Sequence, residues 1–458
     1  MAYRRRMDVA ILGAGFAGLS AADVLSAAGH AVTVIEARDR VGGRVCTQTL
    51  DDGTVLDVGG QWLGPTHDRM YALARRFGAE VYPMHTAGSN LLRLQKRTRR
   101  YSGHVPLRLA PWTLGNLGWV LLRLHRLAQQ VPLDAPWTAP QAEAWDQRTL
   151  GDWVRSNLPD RNARRMIEVG IEAVFAAHPD EISLLHALFY MRSGRSFDFL
   201  TKDQGGAQQD RVTGGVQALA EGLARDLESR GGAVLLGEPA TAVTQTEDGV
   251  MVLGRDNREL ARADRLIVAL PPPLVAALQW TPSLSARRAE LLTSTPMGRV
   301  IKCIAVYDEP FWRGMGLSGQ TVCDEGPINA TFDASGPSGT PGILLGFLEG
   351  HAARELGAQS LEARRKAALG CFARMFGERA SRPRAYVDKV WADEPWSGGC
   401  YAAVFPPGVW TRAGSTIRVT EGRVHWAGTE TATVWNGYIE GAVLSGERAA
   451  REVMDAHV

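Results

Sequence analysis

The sequence predicts an α/β fold, a largely parallel sheet with helices on its faces, and a second, α+β domain inserted into it. Three observations lead there. A run of strand length, Asp8-Val9-Ala10-Ile11-Leu12, opens directly into Gly13-Ala14-Gly15-Phe16-Ala17-Gly18 and an Ala/Leu-rich helical stretch. A second apolar run, Ala31-Val32-Thr33-Val34-Ile35, ends on an acid, Glu36, 18 residues after Gly18. A further strand–loop–helix unit begins near the other end, at Val424-His425-Trp426. Strand, glycine turn, helix, strand, acid is the Rossmann-like order.

Size and composition fit this. At about 150 residues per domain, 458 residues make roughly three domain-sized masses. Hydrophobic residues at 45% and charged residues at 22% are those of a soluble globular chain and exclude a disordered chain, a collagen or a small disulfide scaffold. Glycine, 50 residues, exceeds the usual roughly 7%, a sign of tight turns and close backbone approach to a ligand. Lys+Arg 51 against Asp+Glu 49 leaves +2, which argues against nucleic-acid binding as the main task. The basic run Arg93 to Arg100 reads as a solvated hairpin. Five scattered cysteines without CxxC predict neither a disulfide framework nor a zinc site and fit a reducing compartment. The ten histidines show no metal-ligand spacing, so no metal is expected, and there is no GxSxG elbow or Walker loop. No stretch approaches the ~18 apolar residues of a membrane span; Leu114 to Leu122 is interrupted by Gly118 and stopped by Arg123. The basic start runs straight into the glycine motif and is not expected to be a signal peptide. The end carries no anchor pattern, and a cytoplasmic protein is expected.

In order along the chain, residues 80 to about 210 read mostly helical, with breaks at Asp134-Ala135-Pro136, Pro140 and Pro159-Asp160. Gly214-Gly215 opens a helix ending near Arg230. Thr241 to Thr246 and Val250 to Leu253 read as a hairpin, and Leu266 to Leu270 as a strand stopped by three prolines. Residues 290 to 395 mix strands with a helix near 361–376. These patterns predict a discontinuous nucleotide domain (1–80, 211–288, 394–458) and a substrate domain inserted twice (81–210, largely helical, and 289–393).

The glycine motif carries chemistry. Gly13 permits the tight turn, Gly15 lets backbone approach a pyrophosphate, and Gly18 lets the helix pack on the strand. The helix N-terminus offers free N–H groups and partial positive charge. Glu36 can accept from both ribose hydroxyls. The second glycine pair followed by arginine, Gly42-Gly43-Arg44, brings another backbone turn and a cation toward the same phosphates. Spacing alone leaves FAD and NAD both open.

Glu36-Ala37-Arg38-Asp39-Arg40-Val41-Gly42-Gly43-Arg44 with Asp57-Val58-Gly59-Gly60-Gln61-Trp62 resembles the flavin-containing amine oxidases. Trp396-Ser397-Gly398-Gly399-Cys400-Tyr401, Phe405-Pro406-Pro407-Gly408, Gly428-Thr429-Glu430 to Ala442, Pro296 to Cys303 and Gly205-Gly206-Ala207-Gln208 are similar to monoamine oxidases in particular. The resemblance covers nearly the whole chain and is weakest from about 85 to 200. It implies a monoamine-oxidase-like fold, with a two-dinucleotide-binding FAD domain plus the α+β substrate domain. The cofactor implied is FAD, with Gly13, Gly15, Gly18, Glu36, Arg38, Gly43, Arg44, Gly60, Gln61, Trp62, Val243, Trp391, Cys400, Gly428, Glu430 and Tyr438 on its side.

Within the matching SGGCY the family's cysteine forms a thioether to the flavin, so Cys400 is the expected attachment point. A lone cysteine is otherwise a small buried hydrophobe. Tyr401 and Tyr438 match the two tyrosines flanking the flavin face, and Gln208 and Phe347 match pocket positions; core packing is the alternative for each. Lys302, inside the apolar run Val300 to Val306, either snorkels to the surface or, as the family places it, assists the reaction of reduced flavin with oxygen. Gly437 opens the last helix toward the flavin.

The activity implied is oxidation of an amine to an imine, hydrolysed to aldehyde or ketone plus ammonia, with O2 becoming H2O2. No acid or cation for a distal group is evident at the matched positions, so an apolar primary amine (arylalkyl, alicyclic or alkyl) is the expected substrate. Gly59-Gly60-Gln61-Trp62 in place of the mammalian Gly-Gly-Ser-Tyr, with no membrane-tail pattern, resembles a soluble bacterial member of the cyclohexylamine-oxidase kind. A polyamine, putrescine or L-amino-acid oxidase, a flavin desaturase and a non-catalytic flavoprotein are the alternatives. Partners are the small amine and O2, with no nucleic acid and no membrane anchor; a homodimer is left open.

Overall fold

Asp8–Leu12 is the middle strand of a five-stranded parallel sheet, ordered Val424–Trp426, Arg265–Val268, Asp8–Leu12, Ala31–Ile35, Ala233–Leu235. The computed structural model describes residues 6–103 and 109–456. The basic start, not expected to be a signal peptide, and the extreme C-terminus lie largely outside the described residues. Ile11 pairs with Val34 on one side and Ile267 on the other. Both faces of this strand are covered, so it reads as an unbroken apolar run rather than an alternating one. Val9 and Ile11 pack into a core shared with the helices Phe16–Ala27, Gln217–Ser229 and Ile439–Asp455. Ala10 and Leu12 face a four-stranded sheet, Glu259–Ala263, Val250–Leu253, Ala242–Gln245 and Gln279–Thr281. The five-stranded sheet thus draws on three stretches far apart in sequence.

A seven-stranded sheet forms the second layer, ordered Ala385–Val390, Val300–Tyr307, Gly342–Glu349, Ile328–Asp333, Leu317–Cys323, Ser89–Leu94, Arg97–Tyr101. Its two long central strands are buried at every position. Ile301, Cys303, Ala305, Leu344 and Leu348 face the helix Leu361–Phe376. Val300, Ile304, Leu345 and Phe347 face the opposite way, with Trp391 and Cys400.

The stretch expected to be mostly helical from residue 80 opens with strands at Val81–Pro83, Ser89–Leu94 and Arg97–Tyr101. The basic run is a hairpin turning at Gln95 and Lys96, both at positive φ (50° and 63°). Helices follow: Pro111–Ala128, Ala142–Asp146, Leu150–Asn157, Arg161–Phe175 and Leu184–Ser193. Asp160 caps its helix by accepting from Ala163 N at 2.7 Å. Trp145, Trp153, Trp410 and Trp435 share the core beneath these helices. The position of the expected boundary at 288 falls inside the helix Ala286–Ser294. The five cysteines are buried as free thiols. No helix among the described residues is long and apolar enough to cross a membrane.

Candidate active site

The glycine turn shapes one end of a long cavity. Gly13 has φ 98°, and a Cβ there would stand 2.9 Å from Ala269 O. At Gly18 a Cβ would meet Gly13 O at 1.9 Å, so only glycine lets the helix sit on the turn. The helix Phe16–Ala27 begins with no side-chain cap and no acid in its first turn, leaving its N–H groups to an anion. The second glycine turn is bonded to the first, Gly42 N donating to Ala14 O at 2.8 Å. Glu36 accepts from Ala14 N at 2.8 Å and from Arg38 N and Nη1 at 3.0 and 3.1 Å, while Arg38 Nη2 reaches Ser397 Oγ at 2.7 Å.

From this cradle the cavity passes Arg44, Gln61 and Cys400 and ends among Tyr401, Tyr438, Phe347 and Phe332. Gln61 Nε2 and Gln208 Oε1 are buried there without a hydrogen-bond partner among the described residues. A dinucleotide cradle at one end and orphaned amides further along fit FAD, whose nucleotide would lie on the glycine turns and whose ring would lie near Cys400.

Lys302 is placed by strand alternation. It follows the pocket-facing side of Val300–Tyr307 and pairs across the ladder with Phe347. Its Nζ donates to Gly59 O at 2.8 Å and to Gln61 Oε1 at 2.5 Å. Burial pulls the ammonium down to about 7. It is not a snorkelling lysine: its relative exposure is 3%.

Tyr401 is edge-on to Phe347 at 6.1 Å, and its phenol donates to Glu349 at 3.1 Å. Tyr438 is held by Trp435 at 5.0 Å, His67 at 5.9 Å and Tyr190 at 6.1 Å. It is also the N-cap residue of Ile439–Asp455, so the positive end of that helix opens on the cavity. Glu440, in its first turn, is turned away to accept from Arg69 N and Met70 N. Burial pushes the Cys400 thiol up to about 12. Arg44 donates to Tyr401 O at 2.9 Å and forms a two-pronged pair with Glu430. Burial alone would raise the Glu430 carboxyl; Arg44 outweighs it and holds the group below the usual range.

Of the residues singled out in the sequence, Gly13, Gly15, Glu36, Arg38, Gly43, Arg44, Gly60, Gln61, Trp62, Gln208, Lys302, Phe347, Cys400, Tyr401, Gly428 and Tyr438 line this one cavity. Four stand back from it. Gly18 packs against Gly13. Glu430 spends its carboxylate on Arg44 and Ala403 N. Trp391 is buried behind Gly59 and donates to Val58 O at 2.9 Å. Val243 lies in the core of the four-stranded sheet. Tyr190, Phe332 and Glu349 also line the cavity, and sequence reasoning missed them. Glu349 lies on a strand buried at every position and Tyr190 in a helix buried nearly all round, whereas Phe332 lies on Ile328–Asp333, whose strict apolar–polar alternation was a signal that could have found it.

Comparison with known proteins agrees with this geometry. The family model described as flavin containing amine oxidoreductase matches residues 16–454. The Mycobacterium tuberculosis protein AofH, named as a flavin-containing monoamine oxidase, is 40% identical over 447 residues, covering 98% of this chain and 96% of that one. A putrescine oxidase structure with putrescine bound superposes with a TM-score of 0.93 at 31% identity, covering 98% and 99% of the two chains. Cyclohexylamine oxidase from Brevibacterium oxydans gives 0.92 at 30%, covering 99% of each. The expected fold and flavin chemistry follow from this match, and the protein belongs to the flavin-containing amine oxidoreductase family as a flavin-dependent amine oxidase.

Proposed function

We propose that the protein oxidises a primary amine with an apolar body, arylalkyl, alicyclic or alkyl, to an imine that water converts to an aldehyde or ketone plus ammonia, with O2 reduced to H2O2. The observation that carries this reading is the convergence of Tyr401, Tyr438, Phe347, Phe332 and Lys302 on one cavity with Cys400. FAD, when bound, accepts the hydrogen from the amine's α-carbon. The chain's residues do the rest. An alkyl ammonium loses its proton only near ~10 in water. Aromatic walls attract the cation at their faces and, by excluding water, favour the neutral amine that can react. Lys302, fixed by Gly59 and Gln61, lines the same cavity and would assist the reaction of the reduced cofactor with oxygen, and the positive end of Ile439–Asp455 would favour negative charge on the bound group.

Cys400 is the attachment point in this reading. The cofactor-binding part comprises 1–80, 211–288 and 394–458, and the substrate-binding part 81–210 and 289–393. Peroxide release in air tests the function, across benzylamine, phenethylamine, tyramine, cyclohexylamine, hexylamine, putrescine, spermidine and several L-amino acids. Turnover of the amines with apolar bodies is expected. Turnover of L-amino acids alone, or silence with flavin bound, overturns the reading.

A further inference from the structure

Among the described residues lining the cavity there are two carboxylates, Glu36 in the glycine cradle and Glu349 beside Tyr401. Glu349 is 5% exposed. Strand geometry explains its aim: Phe347 and Glu349, two residues apart, share a face of Gly342–Glu349, opposite Lys302 and Val300 respectively. Glu349 therefore sits about 7 Å along the strand from the ring that faces Lys302. The Tyr401 phenol donates to one of its oxygens, and among the described residues no Lys, Arg or His forms an ion pair with it. A carboxylate is rarely buried without a cationic partner. We propose that Glu349 receives a second cation carried by the substrate, so that the preferred amines are short alkyl chains with an ammonium at the far end as well as the amine that is oxidised.

This rests on the function proposed above and specifies its substrate class. The apolar walls hold the methylene chain, and Glu349 takes the distal ammonium in a charge-assisted hydrogen bond. The charged group that acts on Glu349 is Glu172 on Arg161–Phe175, which accepts from Asn329 at 3.1 Å. Arg165, Glu168, His178 and His351 act on Glu172 in turn. Burial, reinforced by Glu172, pushes the Glu349 carboxyl up to about 8, against the opposing hydrogen bond from Tyr401. An entering ammonium favours its ionised form.

The matched pair 1,6-diaminohexane and hexylamine tests this, with wild type, Glu349→Gln and Glu349→Leu holoenzymes of verified flavin content. Two readouts are taken, kcat/KM and the anaerobic dissociation constant by calorimetry. The wild type is expected to favour the diamine, and both variants to lose that preference by about ten- to hundredfold, the usual range for a hydrogen bond to a charged group. A diamine-to-monoamine ratio unmoved by both variants, in both readouts, overturns the proposal even if both amines are oxidised. If neither amine is oxidised but the Glu349-dependent binding preference persists, Glu349 keeps its role and the oxidase reading fails.

Discussion

Arg44 and Glu430 meet in a two-pronged ion pair, Nη1 to Oε1 at 2.6 Å and Nη2 to Oε2 at 3.1 Å, across 386 residues of sequence. The same guanidinium holds Tyr401 O, so the pair ties the second glycine turn, the final strand–loop–helix unit and the aromatic end of the cavity together. Glu430 is 4% exposed and Arg44 20%. Removing one partner of a buried pair costs about 3–5 kcal/mol, and the partial exposure of Arg44 puts this one at the lower end. Glu430→Ala is expected to lose about 3 kcal/mol in urea unfolding of the holoenzyme and to release flavin more readily on dialysis.

Lys302 gives a stability prediction with a definite sign. Its folded value of about 7 lies below the ordinary 10.5. Between those pH values the unfolded chain binds more protons than the native one, so this residue makes stability rise with pH across that window. The cost of burying its charge is fully present below pH 7. Lys302→Met removes that cost, and its stability relative to wild type is expected to be higher at pH 6.5 than at pH 9.5 in denaturant unfolding.

The kinetic counterpart concerns the two halves of turnover. Lys302→Met is expected to slow the oxygen-dependent half more than the amine-dependent half in stopped-flow measurements. Equal slowing of both would remove Lys302 from the oxygen step.

Tyr438 is held by ring contacts with Trp435, His67 and Tyr190. Tyr438→Phe keeps the ring and is expected to lower kcat modestly. Tyr438→Leu removes it; aromatic contacts are worth about 0.5–1.5 kcal/mol, which corresponds to up to roughly tenfold in rate. Steady-state peroxide assays on one amine separate the two.

Acid precipitation of the holoenzyme is expected to leave the yellow colour in the pellet, and of Cys400→Ala to leave it in the supernatant. Colour in the supernatant for wild type would reduce Cys400 to a cavity wall.

Legibility in the sequence followed the range of the interactions. The Gly13–Gly18 turn, its helix and Glu36 are local, and each residue type is forced by a close approach that leaves a signature within a few positions. Lys302 stood out because a lysine breaks an apolar strand. Glu349 did not, because it ends Gly342–Glu349, a strand buried on both faces whose side chains show no alternation to reveal which of them face a site. Val243 and Trp391 matched a family pattern, yet their side chains pack in the sheet core and behind Gly59.

The order of short-range elements and the dinucleotide cradle of Gly13, Gly15, Gly18 and Glu36 were determined by the chain's own local pattern, since turns, caps and strand periods are settled by neighbours in sequence, whereas FAD rather than NAD and the residues at the aromatic end of the cavity were legible only through the family resemblance. The tertiary fold decided the rest. Glu430 became a partner of Arg44 rather than a cavity wall, and Glu349 became the carboxylate beside Tyr401, because both depend on which strands pair and which faces meet. Those choices are made by packing between segments hundreds of residues apart, where no local spacing records them.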